Sequence, residues 1–215
     1  MREEIARACE QLKNNIATYR RGNQLDILDF KSPGTIEYYL RIVFDHESSN
    51  TSAVYISGDL GEAVIYPTCT PTLEGMANCF TRILNGEIRI NCSYFIEKIK
   101  TASNIYTFDS DDFVADLRQV CKERFGEDAK ECVELETFIE DEIESICAHG
   151  VTFSSEGVTI EHDVQERLEE IIPDCEPDLY DCGRRVHPRI VLWLVALRLA
   201  WEQVKGQGGE NDKGE

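Results

Sequence analysis

At 215 residues, 42% apolar and 9% aromatic, the chain can bury one full hydrophobic core or two small ones, which excludes a disordered or fibrous protein. Its formal net charge of −19 disfavours nucleic acid and anionic lipid as partners and favours basic ones.

Residues 3–19 place Ile5, Ala8, Cys9, Leu12, Ile16 and Tyr19 at helical spacing, predicting an amphipathic helix that stops near Arg21-Gly22. From Leu25 the period changes. Residues 24–30 alternate loosely and 35–44 are rich in Ile, Tyr, Val and Phe, so strands are predicted on both sides of a Pro33-Gly34 turn. Residues 52–57 and 62–66 flank the short loop Gly58-Asp59-Leu60-Gly61, giving four strands in an antiparallel meander. Helices are predicted over 73–84 and 93–102, with a short segment, 86–91, between them. Ser110 is expected to cap a helix through Arg124, with Asp111 and Asp112 at the positive end of its dipole. Residues 127–148 predict a longer helix on the apolar line Cys132, Leu135, Ile139, Ile143 and Ile146, closed by His149-Gly150.

Residues 151–160, interrupted by Gly157, suit a hairpin added to the sheet, and 162–172 a brief helix ended by Pro173, before a loop to Gly183. Pro188 opens a last helix to Val204, apolar on nearly every face and therefore buried on several sides. Residues 206–215, Gly-rich and polar, are expected to be disordered. The fold class is α+β: a small antiparallel sheet from the N-terminal half packed with helices, then an acidic helical region and a buried C-terminal helix. Residues 1–205 are expected to form a single domain in which 109–181 is an acidic, mostly helical lobe.

All the net charge falls in that lobe. Residues 109–181 hold 24 of the 41 acidic side chains and 5 of the 22 basic ones, a local balance of −19, and the remaining 17 acids and 17 bases cancel. Phe113, Leu117, Val120, Leu135, Phe138, Ile139, Ile143 and Ile146 interleave with the acids, so these decorate folded helices. On the long helix Glu127, Asp128, Glu131, Glu134, Asp141, Glu142 and Glu144 lie off the apolar line, with neighbours about 5–6 Å apart. Carboxylates at that interval can stand in for the phosphates of a nucleic-acid strand and engage the Lys and Arg of a nucleic-acid-binding protein. The plainer reading is a solvated face that keeps the protein soluble. Glu131, Glu134, Asp141 and Glu144 are the expected carriers of partner binding.

Arg184, Arg185, His187 and Arg189 form an opposite pole around the start of the last helix, where the dipole already presents positive charge. Pairing with preceding acids such as Asp178 and Asp181 is one expectation; an anion held at the helix start is the other. The lone Arg198 in an apolar helix calls for an internal carboxylate partner.

No metal or cofactor is expected. Cys175, Cys182 and His187 lack the C-x2-C spacing that presents two thiolates to zinc, and Asp109, Asp111 and Asp112 lack the downstream Gly and Glu of a calcium loop. Asp59 and Glu62 read as turn and edge-strand residues, and no phosphate-binding loop, nucleophile elbow or zinc-protease helix occurs, so the chain is not expected to be an enzyme. Nine cysteines, an odd number, follow a Met1-Arg2-Glu3-Glu4 start without a hydrophobic leader, so reduced thiols in a cytoplasmic protein are expected, several of them filling core positions such as Cys79 and Cys132. The longest apolar run, residues 190–197, is too short to cross a bilayer.

Three stretches resemble a family of bacteriophage and prophage accessory proteins: residues 54–64 (VYISGDLGEAV), residues 94–98 (YFIEK), and His187-Pro188-Arg189 with residues 196–203 (ALRLAWEQ). That family carries no assigned catalytic residues. The resemblance implies a phage-borne protein acting in the cytoplasm of a bacterial host, similar in kind to anti-CRISPR and anti-restriction inhibitors. The expected function is therefore inhibition of a host nucleic-acid-processing or defence protein through an acidic, DNA-mimicking surface, without direct nucleic-acid or membrane binding. The alternatives are a structural or regulatory phage protein with an apolar interface, including a homodimer through residues 190–204, or a small-anion binder or enzyme using Arg184, Arg185 and His187.

Overall fold

The computed structural model describes residues 1–208 except 47–51, 103, 146–150, 155–156, 161 and 180. The chain divides into two compact units, residues 1–105 with 187–215, and 106–186.

The first unit opens with α1 (Arg2–Leu12), which buries Ile5, Ala8 and Leu12. Helix does not continue to Tyr19 as the spacing predicts, because β1 (Ile16–Arg20) pairs with β2 (Leu25–Lys31) instead. Buried Asn15 makes the break: its amide donates to the Tyr38 carbonyl at 3.0 Å and its own carbonyl accepts from Gln203. A turn with Gly34 at φ +79 leads to β3 (Leu40–Asp45), and β4 (Ala53–Gly58) and β5 (Ala63–Ile65) complete the predicted meander. Gly58, at φ +123, lies so close to the Tyr39 carbonyl that any Cβ would collide with it. Asp59 is a turn residue, as expected, accepting from the Tyr38 amide at 2.9 Å.

α2 (Leu73–Phe80) ends four residues before the predicted limit. The next residues form β6 (Thr81–Leu84), which pairs with β7 (Glu87–Ile90) across Asn85-Gly86. Both turn residues have positive φ, +52 and +78, the geometry of a two-residue hairpin turn that Asn-Gly supplies at little strain. α3 (Cys92–Lys98) is also shorter than predicted, since residues 99–102 become β8 (Ile99–Ala102) on the far edge of the sheet. The sheet order is β1-β2-β3-β4-β5-β8, six antiparallel strands where the sequence predicts four.

The chain then enters the second unit through β9 (Tyr106–Phe108) and α4 (Ser110–Phe125). Asp109, one residue earlier than expected, caps α4 by accepting from the amides of Asp111 and Asp112 at 3.0 Å each. α5 (Lys130–Ser145) starts after a turn at Gly126, so Glu127 and Asp128 precede the helix instead of opening it, and the predicted end at His149-Gly150 lies outside the described residues. β10 (Val151–Ser154) and β11 (Gly157–Ile160) form the predicted hairpin, but as a separate two-stranded sheet. α6 (His162–Ile171), the short α7 (Glu176–Leu179) and β12 (Arg184–Val186) follow, β12 pairing antiparallel with β9 so that the unit is entered and left side by side.

This unit has its own core. Phe113, Leu117 and Cys121 of α4, Leu135, Phe138 and Ile139 of α5, and Val164 and Leu168 of α6 pack with Cys175, Leu179 and Cys182. Gly183, at φ +68, passes over Phe108 and Phe113 so tightly that a Cβ would sit 2.7 Å from both side chains.

α8 (Pro188–Gly208) returns the chain to the first unit. Residues 206–208, expected to be disordered, continue this helix, and 209–215 lie outside the described residues. Ile190, Trp193, Leu194, Val195, Leu197 and Ala200 are buried, with Trp193 Nε1 donating to the Leu60 carbonyl at 3.2 Å. That face of the helix therefore packs inside its own unit. Gln203 blocks the sheet edge by accepting from the Ala17 amide at 2.9 Å.

Candidate functional site

The boundary of the charge coincides with the boundary of the second unit. Residues 106–186 carry 24 acidic and 7 basic side chains, a balance of −17, whereas the first unit has 17 acids and 15 bases, a balance of −2. Burial of one face of α5 and α6 turns the opposite faces to solvent, and the carboxylates fall on those faces.

The expected carriers divide into distinct groups. Asp128 and Asp141 are exposed and in no ion pair among the described residues. Glu127 meets Lys122 at 3.0 Å and Glu134 meets Lys130 at 2.6 Å; pairs this exposed are worth less than ~1 kcal/mol and can exchange for an external cation. Glu131 is half-buried, and the side chains of Glu142 and Glu144 lie outside the described residues. Other acids have been taken up internally. Glu136 receives both arms of Arg118 at 2.7 Å, and the Arg118 bond holds its carboxyl below the ordinary range against a smaller opposing effect of burial.

Sequence reasoning missed a second set. Asp163, Glu166, Glu169 and Glu170 of α6 are exposed, as is Glu140 of α5, and none is in an ion pair among the described residues. The signal was present, because Asp163, Glu166 and Glu170 recur at three- and four-residue intervals opposite Val164 and Leu168.

Of the basic pole, Arg184 and Arg185 belong to the second unit and His187 and Arg189 to the first. Arg185 reaches Asp112 at 2.8 Å and Asp116 at 2.8 and 3.1 Å, while Asp116 also accepts from the Gly183 amide at 2.9 Å. Arg184 meets Asp181 at 3.0 Å and stacks on the Tyr106 ring, 3.6 Å from its centroid. These arginines knit β12 to α4 and to the preceding turn, the internal pairing that was one of the two expectations. His187 Nδ1 accepts from the Arg189 amide at 3.2 Å, capping α8 ahead of Pro188; burial, then the nearby Arg189 guanidinium, depresses its pKa and favours the neutral, accepting form.

No protein-family model, curated protein or solved structure matches the chain. Function must therefore be argued from geometry.

Cys175 and Cys182, weighed above as metal ligands, are core members of the second unit, while His187 belongs to the first; no cluster of His, Cys, Asp and Glu that could hold a metal occurs among the described residues. Nor is any described helix long and apolar enough to cross a membrane. The first unit holds two polar knots that sequence reasoning did not find. Asp29 accepts from Arg20, Arg41 and Tyr39, each at 2.8 Å; burial pushes its carboxyl up, but these bonds outweigh it and hold the pKa low. Asp26 accepts from Tyr19 and from the Gly22 amide, with His46 Nε2 at 3.3 Å, and its pKa too is lowered despite burial. These bonds tie β1, β2 and β3 together.

Proposed function

We propose that the protein is a binding protein whose second unit docks, through the exposed carboxylates of α5 and α6, on a basic surface of a host nucleic-acid-processing or defence protein and blocks it. The observation that carries this reading is the confinement of nearly all net charge to one unit with its own core. A solubilising charge has no need to respect a structural boundary; a docking module does. Arg118, Arg184 and Arg185 pair with Asp112, Asp116, Glu136 and Asp181 but leave Asp128, Glu140, Asp141, Asp163, Glu166 and Glu170 for a partner. The phage-family resemblance supplies the setting, a bacterial cytoplasm in which such inhibitors act.

Affinity capture from bacterial host lysate, eluted in a salt gradient, tests the proposal. A basic nucleic-acid-binding protein should elute as salt rises, because exposed charges are screened within ~8–10 Å at physiological ionic strength. A variant combining Asp141→Asn, Glu140→Gln, Glu166→Gln and Glu170→Gln should bind that partner at least about tenfold more weakly, a change of ~1.4 kcal/mol. Binding insensitive to both salt and these substitutions rejects the mechanism.

An apolar groove of about 390 Å³ between α1, the β6–β7 hairpin and α8, lined by Ile5, Ala6, Cys9, Ile83, Ile88 and Leu199, supports the second reading, a structural or regulatory protein with an apolar interface. Association that survives high salt selects that reading.

A further inference from the structure

A cavity of about 370 Å³ opens in the first unit where the β6–β7 hairpin meets the end of α2. Its polar lining comes from Asn78, Cys79, Thr81, Arg82, Arg89 and Asn91. No carboxylate is among its lining residues.

The hairpin register sets Arg82 directly opposite Arg89, and like charges at that separation, with Cβ atoms about 5 Å apart, destabilise a strand pair. Internal acids offset this poorly. Arg89 Nη2 has Glu87 at 2.9 Å, but Glu87 also receives Arg2, and Arg82 is in no ion pair among the described residues. The Arg89 Nε is buried and without a hydrogen-bond partner, an uncommon condition for a strong donor.

Three acceptors of the lining residues are engaged away from the cavity. Asn78 Oδ1 accepts from Arg198 Nη2 at 3.3 Å, and Asn91 Oδ1 accepts from the Tyr94 amide at 3.2 Å, so each amide group keeps its two donors for other partners. The Thr81 carbonyl receives Arg198 Nη2 at 2.6 Å. What the lining side chains offer is donors: the Arg82 guanidinium, the Arg89 guanidinium with its unpartnered Nε, and two amide NH2 groups, with no carboxylate among them. A tetrahedral oxyanion has the complementary chemistry, because its oxygens accept in pairs from planar guanidinium groups.

We infer that this cavity binds a phosphate group, with Arg82 and Arg89 as its principal ligands and Asn78 and Asn91 as supporting donors. The volume falls in the lower part of the range for small-molecule sites, roughly 300–1,000 Å³, and exceeds what phosphate alone fills, so a phosphomonoester of a small molecule suits it, its organic part against Phe80 and Ile90. The near-neutral balance of this unit does not oppose an anion, unlike that of the second unit.

The test is calorimetric titration of the full-length protein with inorganic phosphate and, separately, with ribose 5-phosphate, each against chloride at matched ionic strength. Saturable binding of either ligand is expected, weakened at least tenfold in Arg82→Gln and in Arg89→Gln and less in Arg82→Lys. Arg82→Gln should leave the thermal midpoint of the ligand-free protein unchanged or raise it, since a like-charge pair is relieved. Binding of both ligands identifies phosphate as the recognised group; binding of ribose 5-phosphate alone shows that the ester is required. Heats indistinguishable from chloride with both ligands, or binding that persists in both glutamine variants, overturns the assignment.

Discussion

Arg198 Nη2 lies 2.6 Å from the carbonyl oxygen of Thr81, a residue 117 positions away, and the same guanidinium binds the C-terminal end of α2. Nη2 also donates to the Ala77 carbonyl at 2.8 Å and Nε to Thr81 Oγ1 at 2.8 Å, while Nη1 meets Glu202 at 3.3 Å. The sequence called for a carboxylate partner, and Glu202 is one. The shorter bonds go to the Ala77 and Thr81 carbonyls and the Thr81 hydroxyl at the C-terminus of α2, where a cation suits the dipole.

Arg198→Met is accordingly expected to destabilise the protein by about 1–3 kcal/mol, chiefly because the buried Thr81 carbonyl loses its guanidinium donor, while the Ala77 carbonyl keeps the Thr81 amide and hydroxyl. Arg198→Lys should recover only part of this, because one ammonium cannot reproduce the planar fork. Urea unfolding followed by tryptophan fluorescence, with Trp193 in the same helix, measures both. A loss under 1 kcal/mol for the methionine variant contradicts the assignment.

Asp116 joins Arg185 to the Gly183 amide. The Arg185 hydrogen bonds hold its carboxyl below the ordinary carboxylate range, against the opposing push of partial burial and with help from Gly183. A carboxyl whose folded value lies below its unfolded one, about 3.9, stabilises fully above that value and loses the contribution as pH falls through the folded value. Asp116→Asn should therefore cost about 1–2 kcal/mol at pH 7 and much less at pH 3. Denaturant titrations at the two pH values, read by far-ultraviolet circular dichroism, check the difference; an equal loss at both removes the ion-pair explanation.

Cys121 and Cys132 place their sulfurs 3.3 Å apart between α4 and α5. Burial, then the contact with Cys132 and the neighbouring Glu131 and Glu136 carboxylates, pushes the Cys121 thiol up to about 12. At pH 8 the thiolate, the form that reacts, is therefore a minor species. Iodoacetamide at pH 8 should leave Cys121 unmodified in native protein and alkylate it readily in urea, as read by peptide mass mapping. Alkylation of native Cys121 at the rate of a free thiol contradicts this picture.

Strands β2 to β5 were legible because their β-branched and aromatic residues sit between glycine-bearing turns, and α8 because its apolar residues cover nearly every side. The errors share one cause. Ile16 and Tyr19 fit a helical stripe as well as a strand, and Ile83 and Leu84 extend the spacing of α2; in each case pairing with a neighbouring strand decided. Ile16 pairs opposite Lys31, and Ile83 opposite Ile88 across an Asn-Gly turn that the sequence displays and the helical spacing masked. The reach of the acidic set was partly legible: α5 drew attention by its length, while α6 carries exposed carboxylates of its own at helical intervals.

The sequence alone determined where the charge lies, since ionisation at neutral pH is a property of residue type and chain position. It could not determine which carboxylates stay open to a partner. That was decided by pairings between distant positions, Arg185 with Asp116 across 69 residues and Arg118 with Glu136 across 18, because a guanidinium neutralises only what the fold brings within hydrogen-bonding distance.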